Sequence, residues 1–288
     1  MWMVIGLAAA VLAQAQEPGV ETVKPYGLLL QGEDAEAFLR TAQIVDRKSI
    51  GTGITNPQRV TLKDGVHTLH GVWKTIDESK QGVTPMEGGG FQVDFRDTYK
   101  FEIAAYELDK LIGLDLVPPT VERQIKDEHG SLQLWVEGVM TEYQRMKEKI
   151  EVPDPDRWNE QIYKVRLMHQ LTYDTDYNNT TNILVDPAFR VYAIDFSRAF
   201  RKYDALLSEK DLTRFSRSAL EGLRRLDRAC VNYCMPSPTN SRKRRASCRA
   251  LKRNCRSFDR RKTRTRSKFR AKVRRTACAA KKWSAWSS

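Results

Sequence analysis

The sequence predicts an α+β fold in two lobes, a sheet-bearing first lobe with a single helix and a helical second lobe, incomplete at the C-terminus. Three observations predict it. The segment Gly71–Ile76 reads as a strand that places Lys74 on the face opposite Trp73. After it, Phe101, Ala104, Ala105, Leu108, Leu111 and Ile112 fall at helical spacing, opened by a capping pair Asp97-Thr98 and stopped by Gly113. Farther on, two short apolar strands, Asn182 to Val185 and Arg190 to Asp195, flank the turn Asp186-Pro187-Ala188-Phe189 and form a hairpin with polar ends.

The remaining elements follow in chain order. Met1 to Leu12 is an apolar run followed by Ala13-Gln14-Ala15, a small-x-small pattern; residues 1–16 read as a signal peptide, too short to span a bilayer and lacking a leading positive charge. This predicts export, to the periplasm; without it the chain would be cytoplasmic. Glu17 to Pro25 is a polar linker, and Tyr26 to Leu39 suits a strand and a short helix. Ser49 to Pro57 is a loop holding Gly51 and Gly53, followed by a strand Gln58 to Leu62 and a turn at Lys63-Asp64-Gly65. Ser131 to Val139 alternates and closes on Glu137-Gly138, with Trp135 expected in the core. Thr141 to Lys149 reads as a charged helix. The prolines of Val152-Pro153-Asp154-Pro155-Asp156 break the chain before a helix from Trp158 to Leu171, whose Ile162, Val165, Met168 and Leu171 share one face. His169 beside that face reads as a structural histidine, and His67 and His70 are too few for a metal site.

The chemistry gathers in Tyr173-Asp174-Thr175-Asp176-Tyr177-Asn178-Asn179-Thr180-Thr181-Asn182 and the strand pair after it. An acid, an Asn leading one strand and an acid closing the next is the set that phosphoryl transfer requires: a carboxylate for the acceptor hydroxyl and two oxygen ligands for Mg²⁺. On this reading Asp176 orients the acceptor, Asp174 being the alternative, and Asn182 and Asp195 bind the metal. Lys74 would hold the phosphates of ATP, and Glu102, beside the apolar stripe of its helix, would hold Lys74. Gly51 and Gly53 would let backbone amides approach a phosphate. Taken singly, each has a plainer reading: a surface hairpin with polar ends, an exposed strand lysine, a solvated first-turn acid favoured by the helix dipole, an ordinary glycine turn. Their order along the chain joins them.

That order resembles the bacterial phosphatidylinositol 3-/4-kinase-like group, related to the atypical protein kinases, over roughly residues 45–225. The residues carrying the likeness are the glycine-containing loop, Trp73-Lys74-Thr75, the stretch from Tyr99 through Glu102 and Gly113 to Pro118, and Ala193-Ile194-Asp195-Phe196-Ser197-Arg198-Ala199-Phe200. The resemblance implies a two-lobed kinase-like domain over 26–230, with an N-lobe to about residue 140 and a C-lobe from 141. It also implies ATP and Mg²⁺ as cofactors and a lipid or protein hydroxyl as acceptor. It makes Glu137 part of the hinge where backbone groups take the adenine. One departure stands out: five residues separate Asp176 from Asn182, where that group has four. A chain without a working catalytic loop would be a pseudokinase, a binding module rather than an enzyme.

Charge divides the chain sharply. Its net charge is +13, yet residues 240–288 hold 20 Lys/Arg and one acid, leaving the rest mildly acidic. The five cysteines, from Cys230 to Cys278, all fall at this end without Cys-x-x-Cys pairing or a neighbouring His, against a zinc site. From Val231 onward large aliphatics are few and disorder is expected. The basic tail, 231–288, suits nucleic acid or an anionic membrane, and its abrupt onset near Arg228 also suits a shifted reading frame.

Overall fold

The structure, a computed structural model, describes residues 26–51, 56–86, 90–201, 206–208, 212 and 214–234, with side chains as far as 225. The expected signal peptide, Gly53 and almost all of the basic tail lie outside the described residues.

The N-lobe is a five-stranded antiparallel sheet. Its strands are β1 (Gln43–Ser49), β2 (Gln58–Lys63), β3 (Thr68–Lys74), β8 (Thr120–Ile125) and β9 (Glu128–Leu134), arranged β1-β2-β3-β9-β8. Helix α1 (Gly32–Thr41) covers one face, packing Ala35, Phe38 and Leu39 on Val60, Leu62, Leu69, Trp73, Leu132 and Leu134. The alternation of β3 thereby sorts its side chains: Leu69 and Trp73 enter this core, and His70, Val72 and Lys74 face the other way.

Between β3 and the next helix the chain makes two small ribbons, β4 (Asp77–Ser79) with β7 (Arg96–Thr98), and β5 (Val83–Pro85) with β6 (Phe91–Val93). Helix α2 (Tyr99–Ile112) then starts on Thr98, whose side chain accepts from the Lys100 amide, and ends on Gly113 at φ 75°, a left-handed cap that glycine adopts without strain. Its inner face is the expected stripe except for Leu111, which is 49% exposed.

Strand β10 (Met140–Thr141) leads into the C-lobe and pairs with β11 (Ile183–Val185), which pairs with β12 (Val191–Ala193). Helix α3 (Glu142–Lys147) is closed by a capping box between Thr141 and Gln144. Helix α4 (Pro155–Thr172) begins three residues earlier than the sequence suggests, because Asp154 caps it and Pro155 fits the first turn. Helix α5 (Arg217–Cys234) spans the onset of the basic tail near Arg228. Ala105, Leu108 and Ile112 of α2, Val165, Leu167, Met168 and Leu171 of α4, and Ile183, Val191, Phe196 and Leu223 form the second core.

Candidate active site

Lys74 ends β3 on the face turned away from the N-lobe core, and two carboxylates meet it. Glu102 Oε1 accepts from Lys74 Nζ at 2.6 Å and Asp195 Oδ1 at 2.8 Å, joining residues from β3, the first turn of α2 and the segment after β12. Glu102 is 2% exposed, and its second oxygen accepts the Phe196 backbone N–H at 3.0 Å. One buried carboxylate thus ties the strand lysine to the segment carrying Asp195. Asp195, two residues past β12, has φ 65°, in the left-handed region.

Burial alone would pull the Lys74 ammonium down, but Glu102 and Asp195 outweigh it and hold the amine above its ordinary range. Burial pushes Glu102 up, only partly offset by Lys74. Burial would raise Asp195 too, but Lys74 and then Arg198 keep it below the usual carboxylate range. Two carboxylates against one ammonium leave a negative charge uncompensated, and the Asp195 side chain, 42% exposed, presents it to solvent.

The acidic loop sorts its two aspartates. Asp174 is 2% exposed; its Oδ2 lies 2.9 Å from His169 Nδ1 and its Oδ1 accepts the Asp176 amide. His169 in turn stacks on Phe196, with ring centroids 5.8 Å apart. Asp176 is exposed, and its Oδ2 accepts from the side-chain amides of Asn179 and Asn182, each at 3.2 Å. The Asn182 carbonyl accepts the Ile194 N–H at 3.0 Å, so the hairpin register sets Asn182 beside the residue that precedes Asp195. Lys74, Glu102 and Asp195 therefore meet directly, and Asp176 and Asn182 meet each other on the adjoining loop.

The other expected residues have other surroundings. Gly51 lies in the β1–β2 loop at φ 73°, its N–H donating to Ser49 Oγ. Glu137 follows β9, but its backbone N–H and C=O both pair with Gly27, at 3.0 and 2.7 Å, and its carboxylate lies 2.7 Å from His70 Nδ1. Trp135, expected in the core, is only partly buried and lies under the Arg59 guanidinium, 4.7 Å from the ring centroid. Sequence reasoning passed over Gly27 and missed the partners of His70, Asp97 and Arg198.

Metal ligation by three or more His, Cys, Asp or Glu side chains does not occur among the described residues. Mg²⁺ does not demand it, taking one or two protein oxygens and completing its shell with phosphate and water. The Asp195 carboxylate, one of two facing a single ammonium, and the Asn182 amide on the adjoining loop are hard oxygen donors of the kind that ion takes.

A five-stranded sheet covered by α1, a strand lysine paired to an acid of α2, and an acid just past a hairpin define a kinase-like α+β fold. Among solved structures 24 chains match. One is the crystal structure of the Golgi casein kinase, which aligns with a TM-score of 0.51 at 14% identity over 87% of this chain and 73% of that one. At that identity the likeness establishes the fold alone. No protein-family model matches the sequence, and no curated protein does.

Proposed function

We propose that this protein is a phosphotransferase that moves the γ-phosphoryl group of ATP to a hydroxyl acceptor with the aid of Mg²⁺. The observation carrying this reading is the meeting of Lys74, Glu102 and Asp195 at 2.6 and 2.8 Å from three remote parts of the chain. Lys74 holds phosphate oxygens, and Glu102 keeps Lys74 extended and charged. Asp195 and Asn182 hold Mg²⁺, which when bound neutralises charge on the phosphates. Asp176, the exposed aspartate, orients the acceptor hydroxyl and takes its proton, while Asp174 is occupied with His169. Gly51 would bring its loop over the phosphates, and because Gly27 takes the Glu137 N–H and C=O, the adenine would pair with other groups.

The finer reading, a relative of the bacterial phosphatidylinositol 3-/4-kinase-like group, rests on the Asp195–Phe200 segment and leaves a lipid or a protein hydroxyl as acceptor. Export through residues 1–16 and contact with nucleic acid or anionic membrane through the basic tail belong to the same proposal.

The test is MgATP turnover by the purified chain. Asp195→Ala and Lys74→Met should each abolish it while the fold persists, and full activity in either variant would remove that residue from the site. The second reading, a nucleotide-binding module without catalysis, is favoured by the extra residue before Asn182 and by Gly27 on the Glu137 backbone. MgATP at about 100 times its dissociation constant should stabilise a binder by about 2.7 kcal/mol. Stabilisation without turnover selects the second reading, and neither effect rejects both.

A further inference from the structure

The contact between Lys74 and Asp195 spans the two lobes, and a second set of bonds sets its register. Beyond Asp195, the Ser197 carbonyl accepts the Thr98 N–H at 3.0 Å. The Arg198 Nε donates to Asp97 Oδ2 at 2.9 Å, with the guanidinium 5.6 Å from the centroid of the Phe95 ring. Asp97 and Thr98 belong to β7, which pairs Glu78 with Asp97 and Asp77 with Thr98, and β4 follows β3 only two residues after Lys74. A continuous path therefore runs from Lys74 through β4 and β7 to Arg198 and back to Asp195.

Two features show that this path is costly. Asp97 is 2% exposed and its Oδ1 has no hydrogen-bond partner, an expensive group to bury. Asp195 is held in the left-handed region, which a non-glycine residue adopts only when its surroundings impose it. The cap of α2 is the Thr98 side chain, so capping does not explain Asp97.

We propose that Asp97 and Arg198 form a latch that holds Asp195 turned toward Lys74, making both of them positioning residues for the phosphotransferase site. This rests on the proposed function for its catalytic consequence, but the latch itself is a conformational claim with its own readout. Its reporters are the Phe196 amide, bound to Glu102, and the Thr98 amide, bound to Ser197.

The experiment compares the full chain with Arg198→Gln, Arg198→Lys and Asp97→Ala, measuring amide hydrogen exchange over residues 96–103 and 194–200 alongside MgATP turnover. Arg198, being 31% exposed, can be changed without opening the core, so Arg198→Gln decides the matter if Asp97→Ala fails to fold. Exchange in both segments should quicken about tenfold in Arg198→Gln, beyond any uniform quickening in α4 that the stability lost by leaving Asp97 without its cation would bring. The kcat should fall about tenfold to a hundredfold while KM for MgATP stays within about threefold, because the metal-side carboxylate is misplaced rather than the nucleotide lost. Arg198→Lys should recover part of both. Unchanged exchange overturns the latch, and faster exchange with unchanged kcat overturns its positioning role. A wild-type chain that turns over no MgATP defeats the proposed function instead, and the exchange arm still decides the latch.

Discussion

At the scale of single residues, the chain separates two aspartates that its sequence leaves side by side as first choice and alternative. Asp174 and Asp176 stand two apart in one polar loop, and nothing in residue type distinguishes them. Burial does. Asp174 has spent both carboxylate oxygens, on His169 and on the Asp176 amide, whereas Asp176 is exposed and touches only side-chain amides. Replacing Asp176 with Asn should therefore remove turnover and leave the unfolding midpoint nearly unchanged. Replacing Asp174 with Ala should strand His169 in the core and cost about 2–3 kcal/mol of stability. Urea unfolding of the two variants beside a turnover assay checks this, and the assignment of the base fails if Asp174→Ala is the one that unfolds normally yet loses activity.

Among elements, the close seating of α5 on α2 makes a sharp demand. A Cβ at Gly222 would collide with the Ile112 carbonyl oxygen at the end of α2, and Arg225 donates to that same carbonyl at 3.3 Å. Glycine is here for approach, although alanine is the better helix former. Gly222→Ala should consequently destabilise the protein by about 3 kcal/mol despite its higher helix propensity, as overpacked contacts do; a neutral result in thermal unfolding would mean that α5 does not dock there. The same element shows where sequence legibility ends. The α2 stripe, the β3 alternation and the β11–β12 hairpin were readable, because each is periodic within a few residues. The bounds of α5 are not legible, since Leu212 and Phe215 carry the helical spacing back past Ser216 and basic residues interrupt its apolar face. The β5–β6 ribbon escaped notice because Val83, Phe91 and Val93 are exposed and no buried face imposes a pattern. The Asp97–Arg198 pair joins positions 101 apart, and Gly27 meets Glu137 across the whole N-lobe; only folding brings such residues together.

For the molecule as a whole, stability should depend on pH through a carboxyl that the active site does not use. Asp109, on α2, is 3% exposed; its Oδ2 accepts the N–H groups of Leu116 and Val117 at 3.1 Å each, fixing the turn between α2 and β8. Burial pushes its pKa up to about 7, more than those two N–H groups pull it down. In the unfolded chain an aspartate titrates near 3.9, so between about pH 4 and 7 the folded protein binds a proton that the unfolded chain does not. The stability Asp109 contributes is complete below about pH 4 and is lost as pH rises through about 7, a change of roughly 3–4 kcal/mol at most. Asp64, Asp77 and Glu36 act in the opposite sense. Backbone and His67 contacts lower Asp64; Lys100 and Lys110 hold Asp77 and Glu36 below their usual values although burial opposes it. Their contributions are present above the ordinary carboxylate pKa and vanish as pH falls through their lowered values. The two trends together place maximal stability on the acid side of neutrality. Urea midpoints measured from about pH 5 to 8 should fall steadily in the wild-type chain, and in Asp109→Asn, which keeps an acceptor oxygen for Leu116 and Val117 but cannot ionise, the fall should flatten. Parallel profiles for the two proteins across that window would show that Asp109 is already ionised at pH 5, and that the turn between α2 and β8 tolerates its charge.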